Sequence, residues 1–155
     1  FTMKTHLIRA AIVLAASLFL ALGINAARPD GVPLIRPSKE ALALRAGITP
    51  IQLDTAKLLL EDPKVLFVDA RPRNVWKRGR IPGAINFPEE VSDSLMQGFR
   101  DTVALDRPLV VYCDGEECRS SDLLSKKLSQ VGYKYVYLFF GGWVQWRDAG
   151  ERTEK

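Results

Sequence analysis

The chain has 155 residues, 47% of them hydrophobic and 26% charged, with 22 Lys and Arg against 18 Asp and Glu and two cysteines. That apolar fraction excludes a disordered chain, the cysteine count excludes a disulfide-stapled miniprotein, and the length suits one domain with an appendage rather than two cored domains. The formal charge of +4 includes Lys4 and Arg9 of the first 26 residues, which hold no acid, so the remainder carries only +2 and no nucleic-acid partner is expected.

Residues 1–27 read as a targeting or anchoring helix. Lys4, His6 and Arg9 make a basic start, and Ala10–Ile24 is apolar apart from Ser17. That run fits the core of a signal peptide with a small-residue cleavage site near Ala26. Counted through Ala27, it is just long enough for a single membrane span. Either way the domain is expected on the exported side, periplasmic or extracellular: held at the membrane by the helix, or secreted after cleavage. This is the one long apolar run, which excludes a polytopic membrane protein.

Residues 28–49 read as a connector, because Pro29, Gly31, Pro33 and Pro37 forbid regular structure over its first half. A short helix over Ser38–Arg45 fits its second half, with Ser38 as N-cap and Gly47 as stop. Residues 50–155 change to alternating elements. Val65–Val68, Ala84–Phe87, Leu109–Tyr112 and Tyr135–Phe139 are short runs apolar on both faces, as buried parallel strands are. Helices are predicted between them. Leu53–Glu61 carries Leu53, Ala56, Leu59 and Leu60 on one side, Val91–Phe99 carries Val91, Leu95 and Phe99, and Arg119–Val131 carries Leu123, Leu124, Leu128 and Val131. The expected class is α/β, a mostly parallel central sheet with helices on both faces, preceded by one apolar helix.

Chemistry in such sheets collects where strands end and helices begin. The strand Leu109–Tyr112 delivers Cys113 to its carboxyl end, and Asp114-Gly115-Glu116-Glu117-Cys118 leads to a helix opening near Arg119. A tight loop there can turn its backbone N–H groups inward, and the helix N-terminus adds positive potential. A cysteine so placed should ionise readily, which makes Cys113 the candidate nucleophile. The other reading is a cysteine that merely caps a buried strand.

Asp69-Ala70-Arg71 at a strand end is followed by Trp76, Gly79, Ile81-Pro82-Gly83-Ala84 and Asn86-Phe87-Pro88, and this run resembles the first signature of the rhodanese-like domain family. Cys113 stands where the family has its catalytic cysteine, and Gly141-Gly142-Trp143-Val144-Gln145-Trp146 is similar to its closing motif. The resemblance implies sulfur transfer: Cys113 takes a sulfane sulfur from a donor as a persulfide, which a thiol or protein acceptor then removes. It implies no metal or organic cofactor. Asp114, Gly115, Glu116, Glu117, Cys118, Arg119 and Ser120 would form the substrate loop, with Arg119 closing it over an anionic donor. Asp69 and Arg71 would be structural supports.

Three departures from the family pattern stand out. Arg80 replaces the usual histidine after Gly79, and Val75 replaces an acid. Cys113 and Arg119 are separated by five residues rather than four, the C-x5-R spacing of rhodanese-fold phosphatases and arsenate reductases. Against an oxyanion substrate, Asp114, Glu116 and Glu117 crowd the loop with carboxylates, unless they point outward into solvent. Third, Cys118 lies in the same loop, where it could resolve a persulfide, form a disulfide with Cys113, or face the core. A non-catalytic module docked on a membrane-protein partner is the remaining alternative. His6, the sole histidine, lies in the leader, so neither a histidine base nor a zinc cluster is expected in the domain. The basic run Arg71, Arg73, Lys77, Arg78 and Arg80 fits a solvated face, and Trp143 and Trp146 fit core packing.

Overall fold

Of the chain, the computed structural model describes residues 2–29, 32, 38–115 and 118–155. They fall into two units, divided after Pro37. The first is built on one helix, α1 (Thr2–Ala27), 26 residues long. Its large apolar side chains, among them Leu7, Ile12 and Phe19, are exposed all round. At about 1.5 Å per residue it exceeds a hydrocarbon core of about 30 Å. It is therefore long and apolar enough to be a membrane anchor, and equally suits a signal sequence.

The second unit begins at Ser38, ahead of the boundary at residue 50 expected from composition. Ser38 caps α2 (Lys39–Arg45) by accepting the Ala41 N–H at 3.2 Å, and Gly47 leaves the helix with φ +72°. Ala43 is fully buried, so α2 belongs to the core. Then comes β1 (Ile48–Ile51), a strand absent from the predicted elements. The connector was expected to run to residue 49, but β1 is an edge strand, where the missing N–H of Pro50 is tolerated.

The remaining elements are α3 (Leu53–Leu60), β2 (Leu66–Asp69), α4 (Arg73–Trp76), β3 (Ile85–Asn86), α5 (Asp93–Thr102), β4 (Leu109–Tyr112), α6 (Ser120–Gln130), β5 (Val136–Phe139) and α7 (Gly142–Asp148). Among the described residues, five strands pair in the order β1-β5-β4-β2-β3, all in parallel. Alternation along the strands divides the core. Leu66, Val68, Leu109 and Val111 pack with Ala43, Phe99, Leu124 and Leu128, while Phe67, Val110 and Tyr112 pack with Ala56, Ile81 and Trp146. Helices thus cover both faces, as the apolar runs demand.

One predicted helix is misplaced. It starts at Asp93, after the N-cap Ser92, and Val91 precedes it. Leu95 is exposed, and the inward residues are Met96 and Phe99, three apart on the face turned to the core.

Register brings the strand ends level: Ile51 pairs with Phe139, Phe139 with Tyr112, Tyr112 with Asp69, and Asp69 with Asn86. The residues that follow, Cys113 after β4, Ala70 and Arg71 after β2, and Phe140 and Gly141 after β5, leave the sheet at one edge.

Candidate active site around the cysteine loop

Cys113 continues the alternation of β4. It falls on the face of Leu109 and Val111, toward α6, and is 1% exposed. Its sulfur is bonded to that of Cys118 in a disulfide, with the Cα atoms 6.4 Å apart. Cys118 is partly exposed and donates its N–H to the Gly115 carbonyl at 2.9 Å. Glu116 and Glu117 lie outside the described residues. In the first turn of α6, Ser121 is buried with its hydroxyl 3.0 Å from Cys113 Sγ. A disulfide sulfur has no hydrogen to give, so Ser121 is the donor.

The backbone of the loop is held by α7. Trp143 donates its N–H to the Cys113 carbonyl and Val144 to the Asp114 carbonyl, both at 2.8 Å. Such close approach requires Gly142, whose φ is +55°. A Cβ there would run into the Cys113 carbonyl oxygen and stand 2.9 Å from the Asp114 carbonyl carbon.

Arg71 organises the opposite side of the loop. Its guanidinium donates to both Asp69 carboxylate oxygens at 2.7–3.0 Å and to the Gly79 carbonyl at 2.7 Å, and it reaches Asp114 at 3.4 Å. It lies 4.9 Å from the centre of the Trp143 ring and 5.8 Å from that of Tyr112. Burial works against its charge, but the hydrogen bonds and charge of Asp69 outweigh this and hold its pKa above the ordinary value. Burial first, and then the Asp69 carboxylate, push the Tyr112 phenol strongly up, so it stays neutral and accepts the Ile81 N–H at 3.2 Å.

A cleft of about 230 Å³ adjoins the loop here, lined by Arg71, Arg78, Asp114, Trp143 and Arg147 among others. Its rim is therefore of mixed sign. Asp114, the described acid of the loop, shares Arg71 with Asp69. The basic run divides by role. Arg71 is buried, Arg80 pairs with Glu154 at 2.6 Å over the Trp76 ring, and Arg73, Lys77 and Arg78 are exposed. Arg119 is exposed at the start of α6 and Ser120 is partly buried. Trp146 is a core residue, whereas Trp143, expected as core, is only partly buried and braces both Cys113 and Arg71. Sequence reasoning passed over Ser121 and Gly142. A hydroxyl one residue into the helix after the loop, and a glycine where the closing helix begins, were the available signals. Among the described residues no group of three His, Cys, Asp or Glu could hold a metal ion.

Comparison with known proteins gives the same architecture. Residues 52–149 match the model of the rhodanese-like domain. The thiosulfate sulfurtransferase GlpE of Shewanella oneidensis is 33% identical over 91 residues, covering 59% of this chain and 84% of that protein. The HTH-type transcriptional regulator Rv0324 of Mycobacterium tuberculosis is 34% identical over 91 residues, covering 58% of this chain but only 38% of the regulator. Among solved structures, RPA3614 of Rhodopseudomonas palustris, a protein of unknown function described as a possible tyrosine phosphatase, is 28% identical with a TM-score of 0.58, covering 80% of this chain and all of that one. On its matched sequence, its sheet order and the position of its loop, the chain belongs to the rhodanese-like domain family.

Proposed function

We propose that the protein is a sulfurtransferase or persulfide carrier that works through Cys113. The observation that carries this is the placement of Cys113 at the carboxyl end of the central strand, against the Ser121 hydroxyl, in a fold shared with thiosulfate sulfurtransferases. An external thiol first reduces the disulfide. The Cys113 thiolate then attacks the sulfane sulfur of the donor, and the bond between that sulfur and the rest of the donor breaks, its electron pair leaving with the donor (sulfite, for thiosulfate). The acceptor attacks the outer sulfur of the persulfide and Cys113 departs as thiolate. Arg119 and the loop residues Asp114, Gly115 and Ser120 frame the donor, while Asp69 and Arg71 support the loop. The reaction draws on no cofactor.

The test is intact mass after incubating the reduced full chain in detergent with thiosulfate or glutathione persulfide, beside Cys113→Ser and Cys118→Ser variants. One sulfur added to Cys118→Ser and absent from Cys113→Ser is the expected result. The C-x5-R spacing and the likeness to RPA3614 favour a second reading, oxyanion chemistry, so hydrolysis of an aryl phosphate is followed alongside. Neither an adduct nor turnover would mean a non-catalytic module that docks on a membrane protein.

For location, the reading is a domain held by α1 on the exported side of a membrane, with release by cleavage near Ala26 as the alternative. The apolar circumference of α1 supports both. Membrane fractionation combined with protease accessibility in intact cells separates them.

A further inference from the structure

The loop contains a complete device for discharging a persulfide without an external sulfur acceptor. We infer that Cys118 resolves the Cys113 persulfide, so that the protein releases hydrosulfide and is left as the Cys113–Cys118 disulfide. This rests on the sulfurtransferase reading and adds to it a second activity, reductive release of sulfide driven by thiols.

Three observations carry it. The two sulfurs meet within one loop, Cα atoms 6.4 Å apart, so the product of resolution is a conformation the folded domain adopts. The pair is asymmetric: Cys113 is 1% exposed, whereas Cys118 is partly exposed at the head of α6. And the hydroxyl at the pair is placed on Cys113, where Ser121 Oγ lies 3.0 Å from Sγ.

The chemistry balances. The Cys118 thiolate attacks the inner sulfur of Cys113–S–SH, the Cys113–Cys118 bond forms, and the outer sulfur leaves as HS⁻ with its own proton. Resetting consumes two external thiols. The first, as thiolate, attacks the accessible Cys118 sulfur, and Cys113 leaves as the thiolate that Ser121 stabilises. The second removes the first as a disulfide and frees Cys118. With thiosulfate as donor the sum is thiosulfate plus two thiols giving sulfite, hydrogen sulfide and one disulfide. The asymmetry sets the direction of reset, because burial shields Cys113 from attack while the hydrogen bond favours its departure.

The test uses the full chain in detergent, reduced and freed of reductant under anaerobic conditions, then given one equivalent of glutathione persulfide. Wild type is expected to release about one equivalent of hydrosulfide and to end with no protein thiol free. Cys118→Ser should keep the added sulfur on Cys113 and release at least tenfold less, which also measures discharge by the glutathione formed. Wild type that holds its added sulfur as firmly as Cys118→Ser would overturn the inference while leaving the sulfurtransferase reading intact. Absence of added sulfur from Cys118→Ser would overturn both. For the reset, a limiting thiol followed by alkylation should place the mixed disulfide on Cys118 and the alkyl group on Cys113. The reverse distribution would overturn the assigned direction.

Discussion

Ser121 donates its hydroxyl hydrogen to Cys113 Sγ across 3.0 Å, in surroundings where both side chains are buried. In the reduced protein the same hydroxyl faces a thiol that must ionise to react. A hydrogen bond to a charged group contributes about 1.5–3 kcal/mol, and one pKa unit corresponds to about 1.4 kcal/mol. Ser121→Ala in a Cys118→Ser background should therefore disfavour the Cys113 thiolate and move its titration to higher pH. Thiolate absorbance followed through a pH titration checks this. An unchanged midpoint with lowered stability would assign Ser121 to packing alone.

Arg71 and Asp69 form a buried ion pair, with side chains 1% and 0% exposed. Removing one partner leaves the other charge uncompensated, at about 3–5 kcal/mol. Arg71→Met should lower unfolding stability by that amount in urea titration. Arg71→Lys should recover only part of it, because an ammonium cannot reproduce the fork that spans both Asp69 oxygens and the Gly79 carbonyl.

Gly142 lets α7 close on the loop, so Gly142→Ala should both strain the backbone, by about 1–3 kcal/mol, and push the Cys113 carbonyl off its Trp143 N–H. Persulfide formation at Cys113 should slow about ten- to a hundredfold as the sulfur shifts. Gly150→Ala is the control: φ is +74° there, yet nothing lies within 4 Å of the added methyl. It should cost stability and leave the rate alone. Equal rate loss in both variants would remove the loop from the explanation.

Tyr112 carries the alkaline response. Its folded-state pKa stands above the ordinary value of 10.0, through burial and then the Asp69 carboxylate. The stability it contributes is fully present below pH about 10 and is lost as pH rises toward the folded-state value. Tyr133, also raised by burial, acts in the same direction. Tyr112→Phe should flatten the fall in stability above pH 10 without abolishing it. A wild-type slope in the variant would refute the assignment.

Much of the fold was legible. The apolar runs of β2, β4 and β5 are hydrophobic on both faces, a pattern that suits the doubly covered parallel sheet they form. The four-residue spacing of Leu124 and Leu128, one helical turn, located α6. What escaped were elements whose local signal conflicts with their tertiary role. Pro50 sits in an edge strand, Ser92 rather than Val91 marks the start of α5, and Met96 rather than Leu95 faces the core.

By itself, the sequence determined the fold family and the apolar α1 and singled out the cysteine proposed to carry the function, because periodicity, strand-end motifs and loop spacing are local properties of the chain. The tertiary structure alone decided what surrounds that cysteine. The Ser121 hydroxyl, the Gly142 approach and the Arg71 contact with Asp114 come from α6, α7 and the end of β2, and parallel pairing sets those elements level with the end of β4. Two cysteines five positions apart specify neither a bond nor which sulfur is shielded. Strand alternation turns Cys113 into the core, whereas Cys118, just ahead of α6, is only partly buried against it.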